Sequence, residues 1–470
     1  MTPRRAVPLL LALLAAGCNL FQHRGAAVLP PPKGTATPRT DTGPPVVTAT
    51  APARVPSTPD LHRSWPAPLT YGTVTPIPTV IPTPVEPFPF DPGVTNILLI
   101  GSDRRQGTSF RTDTLILVSI QPGGRGAALL SIPRDLFVYL PGFSMQRINS
   151  AYTNGEQHGY PGGGPALLAD TILYNLGIPV HYQARIEMDG FRQVIDTLGG
   201  IDVRVTCPYT DWRLKSPDLP PEDEANWELF ATSAGVVHMD GDYALWYARA
   251  RAHSSDFDRA RRQQEVLRAS YRQALRLELI THVPELYLDL TSMVSTDIPL
   301  PVLVELAAMA PRLSPAEIRS RFLGRDQVTG WRVPVNGAQV LLPNAEAIRL
   351  LLEDAFRFDP ADALIPQSFT TVEIIGEAAN PDMAWLAAER LEYYGFRTHV
   401  GQAIDAPGGQ THLIDFGLAT AETRDELLAV LGLPAAAVEL QSDPASPFPF
   451  RLVVGTAYDP CFDPTRAQVR

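Results

Sequence analysis

Between Val94 and Pro133 three apolar runs are separated by glycine and polar residues: N-I-L-L-I-G (Asn96 to Gly101), T-L-I-L-V-S-I (Thr114 to Ile120) and A-A-L-L-S-I-P (Ala127 to Pro133). They are short and bounded by turn signals, which predicts buried strands. The turn Q-P-G-G-R-G joins the last two tightly and makes them antiparallel. An antiparallel first pair would complete a meander. The end of the first strand, the start of the second and the end of the third would then share one edge. Asp103 lies at the first of these places, Arg111 and Asp113 at the second, and Arg134 and Asp135 at the third.

Further along, the apolar spacing becomes helical. P-A-L-L-A-D-T-I-L-Y-N-L-G (Pro165 to Gly177) predicts an amphipathic helix ending at Gly177. V-I-D-T-L-G-G-I-D-V-R-V reads as helix, turn and strand. The Pro- and acid-rich stretch from Thr206 to Ala231, with Trp212 and Trp227, reads as a surface loop whose aromatic rings suit either sugar stacking or ordinary packing. In S-S-D-F-D-R-A-R-R-Q-Q-E, Ser255 or Asp256 caps a helix expected to run past Arg276. Arg259, Arg262 and Gln263 fall on one face of it. Arg249 and Arg251 close the preceding helical run and can turn back toward the same helix start.

The stretch from Leu277 to about Phe358 reads as helices that extend the preceding domain. A small α/β unit begins near Phe369, with four strands, a helix ending at Gly395 and a second from Ala421 to Leu431. His399 and His412 are expected as solvated strand residues.

Composition changes this picture mainly at the N-terminus. Arg4 and Arg5, an apolar run from Ala6 to Ala16, and L-A-A-G-C ending at Cys18 form a secretion signal over residues 1–18. Its ending resembles the lipobox of bacterial lipoproteins, in which the cysteine becomes the lipidated first residue. That resemblance implies a mature protein lipid-anchored on the outer face of the cytoplasmic membrane. Residues 19–92 are rich in Pro and Thr and read as a disordered tether of polyproline type. Extended at ~3.1 Å per residue, it would reach on the order of 200 Å.

Net charge is −11 over 470 residues, which excludes nucleic acid as a partner for the whole molecule. No stretch reaches the roughly 18 apolar residues needed to span a bilayer. Three cysteines make neither a disulfide framework nor a cysteine-based zinc site. Cys207 and Cys461 are free to pair outside the cell, on a distance that sequence does not carry.

Two carboxylates beside arginines at a sheet edge suit a hard divalent cation such as Mg²⁺ with a phosphate ligand. The plainer reading is strand-end aspartates making turn hydrogen bonds. Guanidinium forks around a helix start suit phosphate as well. Here the plainer reading is a solvated arginine-rich helix, since 37 of the 39 basic residues are Arg.

A set of motifs decides between these readings. G-S-D-R-R, R-T-D-T-L-I-L-V-S-I, L-L-S-I-P-R-D-L, R-I-N-S-A-Y, D-G-F-R-Q-V-I-D-T-L-G-G-I-D-V, M-D-G-D-Y-A-L-W-Y-A-R-A-R and D-F-D-R-A-R-R-Q-Q follow in order. From Val94 to Arg276 the chain resembles the LytR-CpsA-Psr family of cell-envelope proteins. The resemblance implies an α-β-α sandwich around a mixed central sheet. With its helical extension this domain would span 93–360, followed by a small LytR-type α/β domain over 369–460 for partner or wall binding. The implied activity is phosphotransfer of a glycopolymer from a polyprenyl-pyrophosphate carrier to peptidoglycan.

Position by position, the resemblance gives Asp103 and Asp113 to Mg²⁺. It puts Arg111, Arg134, Arg249, Arg251, Arg259 and Gln263 at the pyrophosphate. Arg134, Arg249 and Arg251 carry the catalysis, and Asp256 is the candidate base. Apolar helices and sheet would enclose the polyprenyl tail. The anchor departs from the family, whose members usually carry an N-terminal transmembrane helix. A pyrophosphatase using water, and a non-catalytic lipid-anchored wall-binding protein, are the alternatives. A DNA-binding attenuator is excluded by the secretion signal and the acidic charge.

Overall fold

The computed structural model describes residues 81–104, 110–251, 254–277, 293–313, 315–334, 336–358, 371–405 and 409–461, without the side chains of Asp103, Arg104, Phe110, Arg111 and Gly124. The signal with Cys18, and the tether as far as residue 80, lie outside these residues.

The three apolar runs form β1 (Thr95–Arg104), β2 (Phe110–Ile120) and β3 (Ala127–Ser131), an antiparallel meander as the glycine turn predicts. A short hairpin, β4 (Phe137–Tyr139) and β5 (Met145–Arg147), leads into α1 (Ala151–Gln157) and α2 (Gly163–Leu176). Next come β6 (Tyr182–Glu187), α3 (Met188–Thr197) and β7 (Ile201–Val205). β8 (Tyr209–Leu214), β9 (Trp227–Thr232), β10 (Gly235–Met239) and α4 (Gly241–Arg249) bring the chain to α5 (Asp256–Arg276).

Beyond α5 the chain makes β11 (Val294–Thr296), α6 (Leu300–Met309) and β12 (Ile318–Phe322), then the hairpin β13 (Val328–Arg332) and β14 (Gln339–Pro343), then α7 (Ala345–Phe356). The central sheet has six strands in the order β11-β6-β1-β2-β3-β12 and is mixed, since β6 and β12 run parallel to β1 and β3.

Alternation along the strands gives the sheet two apolar faces. Leu98, Ile100, Leu115 and Leu117 pack with Leu168 and Ile172 of α2 and Leu352 of α7. Ile97, Ile116 and Val118 pack with α6 and α5 on the other side. Helices therefore cover both faces, the expected sandwich.

Three sequence expectations change. The 277–358 extension is not purely helical, because β11 and β12 complete the sheet at its two edges. Those pairings reach more than a hundred residues along the chain, where local periodicity carries no signal. The stretch Thr206 to Ala231 is mostly the hairpin β8–β9 rather than a loop. The tether does not extend to residue 92, because residues 82–88 dock on α2. Tyr174 Oη donates to Pro82 O (2.7 Å), Val85 N to Tyr174 O (2.8 Å) and Phe88 N to Gly177 O (2.8 Å). Extended backbone makes no internal bonds, so its polar groups are free to satisfy the end of a helix. At Gly177 (φ +70°) a Cβ would meet Glu86 O at 2.5 Å.

The C-terminal unit runs β15 (Thr371–Ile375), α8 (Asp382–Tyr393), β16 (Arg397–Val400), β17 (His412–Asp415), α9 (Ala421–Leu431), β18 (Val438–Leu440) and β19 (Phe450–Val453). Its five strands order as β16-β15-β19-β17-β18. It is tied to the first body by a Cys207–Cys461 disulfide, with the Cα atoms 4.6 Å apart. A buried ion-pair cluster links α8 to α5 and β7.

Candidate active site

The site grows from an irregularity in the sheet. Gly101 of β1 faces Thr114 of β2, but Ser102 faces Thr112, which leaves Asp113 as the extra residue of a β-bulge. Bulges re-aim side chains and recur beside active sites. Asp113 accepts a hydrogen bond from Arg134, just after β3. Arg134 Nε lies 3.3 Å from Asp135, whose other oxygen is 3.1 Å from Arg147 Nε. Burial opposes the Arg134 charge. The hydrogen bond to Asp113 and the carboxylates of Asp135, Asp113 and Asp256 outweigh burial and raise its pKa.

The start of α5 is fixed by a reciprocal cap. Ser255 Oγ accepts from Asp258 N (3.1 Å), and the Asp258 carboxylate accepts from Ser255 N (2.9 Å). In the first turn, Asp256 lies 3.0 Å from the guanidinium of Arg259. The Arg259 pKa is lowered to about 10, first by burial and then by the neighbouring Arg251 and Arg134 cations, against the pull of Asp256 and Asp113. This cluster is short of negative charge, which an anion would supply. Gln263, one turn on, donates to Thr114 Oγ1 (2.9 Å) and Ala248 O (3.2 Å), joining α5 to β2 and α4.

Two cavities meet here, with Asp113 and Gln263 in the walls of both. The larger, about 140 Å³, is apolar along Leu99, Ile116, Ile186, Phe191 and Val266. Its polar end holds Ser102 and Arg249 beside Asp113 and Gln263. The smaller, about 20 Å³, is bordered by Arg134, Asp256 and Arg259. The fold thus gathers Asp113, Arg134, Arg249, Arg251, Asp256, Arg259 and Gln263 from four elements. Asp103 and Arg111 face each other in the β1–β2 register, but their side chains lie outside the described residues.

Arg262 does not join the predicted phosphate face. It is 1% exposed, and its Nε donates to Tyr247 O (2.9 Å) while Nη2 donates to Ala250 O. Three residues along a helix fall about 60° short of a full turn. That offset turns this guanidinium onto the unpaired carbonyls ending α4. Sequence reasoning missed Ser102, whose buried hydroxyl has no hydrogen-bond partner among the described residues. Its place between Gly101 and Asp103 was the available signal. It also missed Asp211, which accepts from Arg251 N and whose segment read as a loop.

The Asp113 carboxylate and Ser102 hydroxyl are hard oxygen donors at the polar end of the apolar cavity. Among the described residues no group of three or more acidic, His or Cys side chains gathers. Mg²⁺ takes such oxygen donors, with waters and phosphate oxygens as its other ligands.

The body is a three-layer α/β sandwich whose apolar cavity has Arg249, Asp113 and Gln263 at its polar end. The chain belongs to the LytR-CpsA-Psr family, whose model, described as "LytR_cpsA_psr family", matches residues 87–353. It is 35% identical to the polyisoprenyl-teichoic acid–peptidoglycan teichoic acid transferase TagU of Oceanobacillus iheyensis, over 43% of this chain and 58% of that protein. It is 30% identical to the regulatory protein MsrR of Staphylococcus aureus, over 44% of this chain and 57% of that one. The chain thus spans less than two thirds of the length of these relatives. Among solved structures, that of B. subtilis TagV is similar at a TM-score of 0.44 and 24% identity, covering 57% of this chain and 98% of that one.

Proposed function

We propose that this protein moves a glycopolymer from a polyprenyl-diphosphate carrier onto a peptidoglycan hydroxyl, outside the cytoplasm. One observation carries the reading: the apolar cavity ends on Asp113, Gln263 and Arg249, next to a smaller cavity bordered by Arg134 and the buried Arg259. A lipid diphosphate has that same division between tail and head. The TagU relatives, polyisoprenyl-teichoic acid–peptidoglycan teichoic acid transferases by name, support it.

In this reading the apolar walls take the polyprenyl tail, and Arg134, Arg249, Arg251 and Arg259, with Arg111, spread over the diphosphate. The acceptor oxygen attacks the sugar-bearing phosphorus. The bond to the polyprenyl phosphate breaks, and a phosphodiester forms. Negative charge grows on the leaving phosphate, where fixed arginines stabilise the transition state most. Asp256, on the smaller cavity and 3.0 Å from the Arg259 guanidinium, takes the acceptor proton. Asp113, with Asp103 and Ser102, would hold Mg²⁺, which supplies charge neutralisation of the diphosphate. Cys18 would carry the lipid, and the tether would set the reach from the membrane.

The test incubates the full chain in detergent with a short polyprenyl-diphosphate oligosaccharide, peptidoglycan fragments and Mg²⁺, beside Arg134→Ala and Asp113→Ala. Sugar attached to the glycan, lost in both variants, is the expected result. Phosphate release without attachment would replace the transferase with a pyrophosphatase. Tight lipid binding without turnover would leave a wall-binding protein.

A further inference from the structure

Arg249 closes α4 and Arg251 lies in the turn that follows, which is gripped from two sides. From β8, Asp211 Oδ2 accepts the backbone N–H of Arg251 at 2.5 Å, while its Oδ1 accepts from Trp212 N at 2.7 Å. Tyr209 Oη lies 3.4 Å from Asp211 Oδ2 and 3.2 Å from Ser254 Oγ. From α5, Arg262 holds Tyr247 O and Ala250 O and reaches Ser254 Oγ at 3.4 Å. Its guanidinium sits 4.1 Å from the centre of the Tyr209 ring, so the two grips share a contact. Trp246 Nε1 donates to Trp212 O (3.1 Å), which fixes the hairpin to α4 itself.

We propose that Asp211, Tyr209 and Arg262 are positioning residues that hold the backbone of the turn leaving α4 at Ala250 and Arg251, so that Arg251 meets the anionic head. The inference rests on the diphosphate reading of the site. Arg251 is exposed, and an exposed arginine on a loose turn spreads its charge over many rotamers. Asp211 is only 9% exposed, and its carboxylate is directed at main-chain N–H groups rather than at solvent. It fixes where the Arg251 side chain begins. The charge of Arg251 already registers at Arg259, so a displaced turn would thin the cation cluster.

The test titrates the full chain with inorganic pyrophosphate by calorimetry. Asp211→Ala is compared with wild type, and again in an Arg251→Ala background. A residue acting through Arg251 loses its effect once Arg251 is gone. We expect Asp211→Ala to weaken pyrophosphate about 10-fold in the wild-type background and less than about twofold in the other, with Asp211→Asn, which keeps an acceptor oxygen, recovering most of the loss. Equal losses in both backgrounds, or no loss in a folded Asp211→Ala, would overturn the inference. Should Asp211→Ala not fold, Tyr209→Phe in the same two backgrounds gives the same comparison by removing only the hydroxyl. Wild type that binds no pyrophosphate removes the diphosphate reading and this inference with it. Wild type that binds as tightly as Asp211→Ala removes this inference alone.

Discussion

Glu389, on α8 of the C-terminal unit, accepts a hydrogen bond from Arg268 in the middle of α5 at 3.0 Å. Its other oxygen lies 2.6 Å from Arg272 and 3.2 Å from Arg204, with all four groups largely buried. The helix whose first turn carries Arg259 is therefore bolted along its length to a second domain. Pairing is unequal. Glu389 gains from three cations, so its pKa falls below the usual 4.5 although burial alone would raise it. Burial and the adjacent Arg204 and Arg268 lower the pKa of Arg272 despite Glu389.

Glu389→Ala takes the paired carboxylate from buried Arg272 and leaves Arg204 and Arg268 to share Glu392, which is expected to cost about 3–5 kcal/mol. Denaturant unfolding at neutral pH measures it. The stabilisation is complete above the unfolded-state value near 4.5 and is lost as pH falls toward the depressed folded value. Wild type is therefore expected to lose more stability than Glu389→Gln between about pH 6 and about pH 3.

Arg259→Ala removes the most buried of the site's arginines. A charged hydrogen bond contributes about 1.5–3 kcal/mol, so pyrophosphate affinity is expected to fall roughly 10- to 100-fold. Because this guanidinium titrates near 10 and a bound anion would raise that value, wild-type binding is expected to take up protons in alkaline buffers. Calorimetry in buffers of different ionisation enthalpy reads the uptake, and its absence would remove Arg259 from the site.

Ala248 lines the apolar cavity on α4. Ala248→Trp would fill that space and displace carbons of a bound tail at about 0.8 kcal/mol each, so losing two or three carbons weakens a long-chain polyprenyl diphosphate roughly 30-fold. Inorganic pyrophosphate has no tail, and its affinity is expected to stay within about twofold. Parallel titrations with the two ligands separate tail from head.

The disulfide closes a loop of 254 residues between the first body and the end of the C-terminal unit. Cys461→Ser is expected to lower stability by about 2–4 kcal/mol. A thermal melt with and without reductant checks it: wild type shifts down on reduction, and the variant does not move.

Much of this was legible in the sequence. The meander followed from three apolar runs and a glycine turn. The caps at Ser255 and Gly177 and the two C-terminal helices follow from spacing and end signals. Asp113, Arg134, Arg259 and Gln263 stood out because their motifs recur in a fixed order. The hairpin β8–β9 did not stand out, because its proline- and acid-rich connection masks the strands on either side. Nor did β11 and β12, each of three to five residues, which become strands by meeting distant partners.

By itself the sequence determined element types and the residues available for chemistry, since side-chain period, turn residues and caps act within a few positions. Only the tertiary structure decided which of two arginines one turn apart borders the smaller cavity, Arg259, and which is spent on the carbonyls of α4, Arg262. It alone aimed Asp113 with a bulge, paired Cys207 with Cys461, and set Asp211 under Arg251. Each of those outcomes depends on a partner far along the chain, and the physical cause is burial: a polar group taken out of water must find whichever partner the fold brings to it.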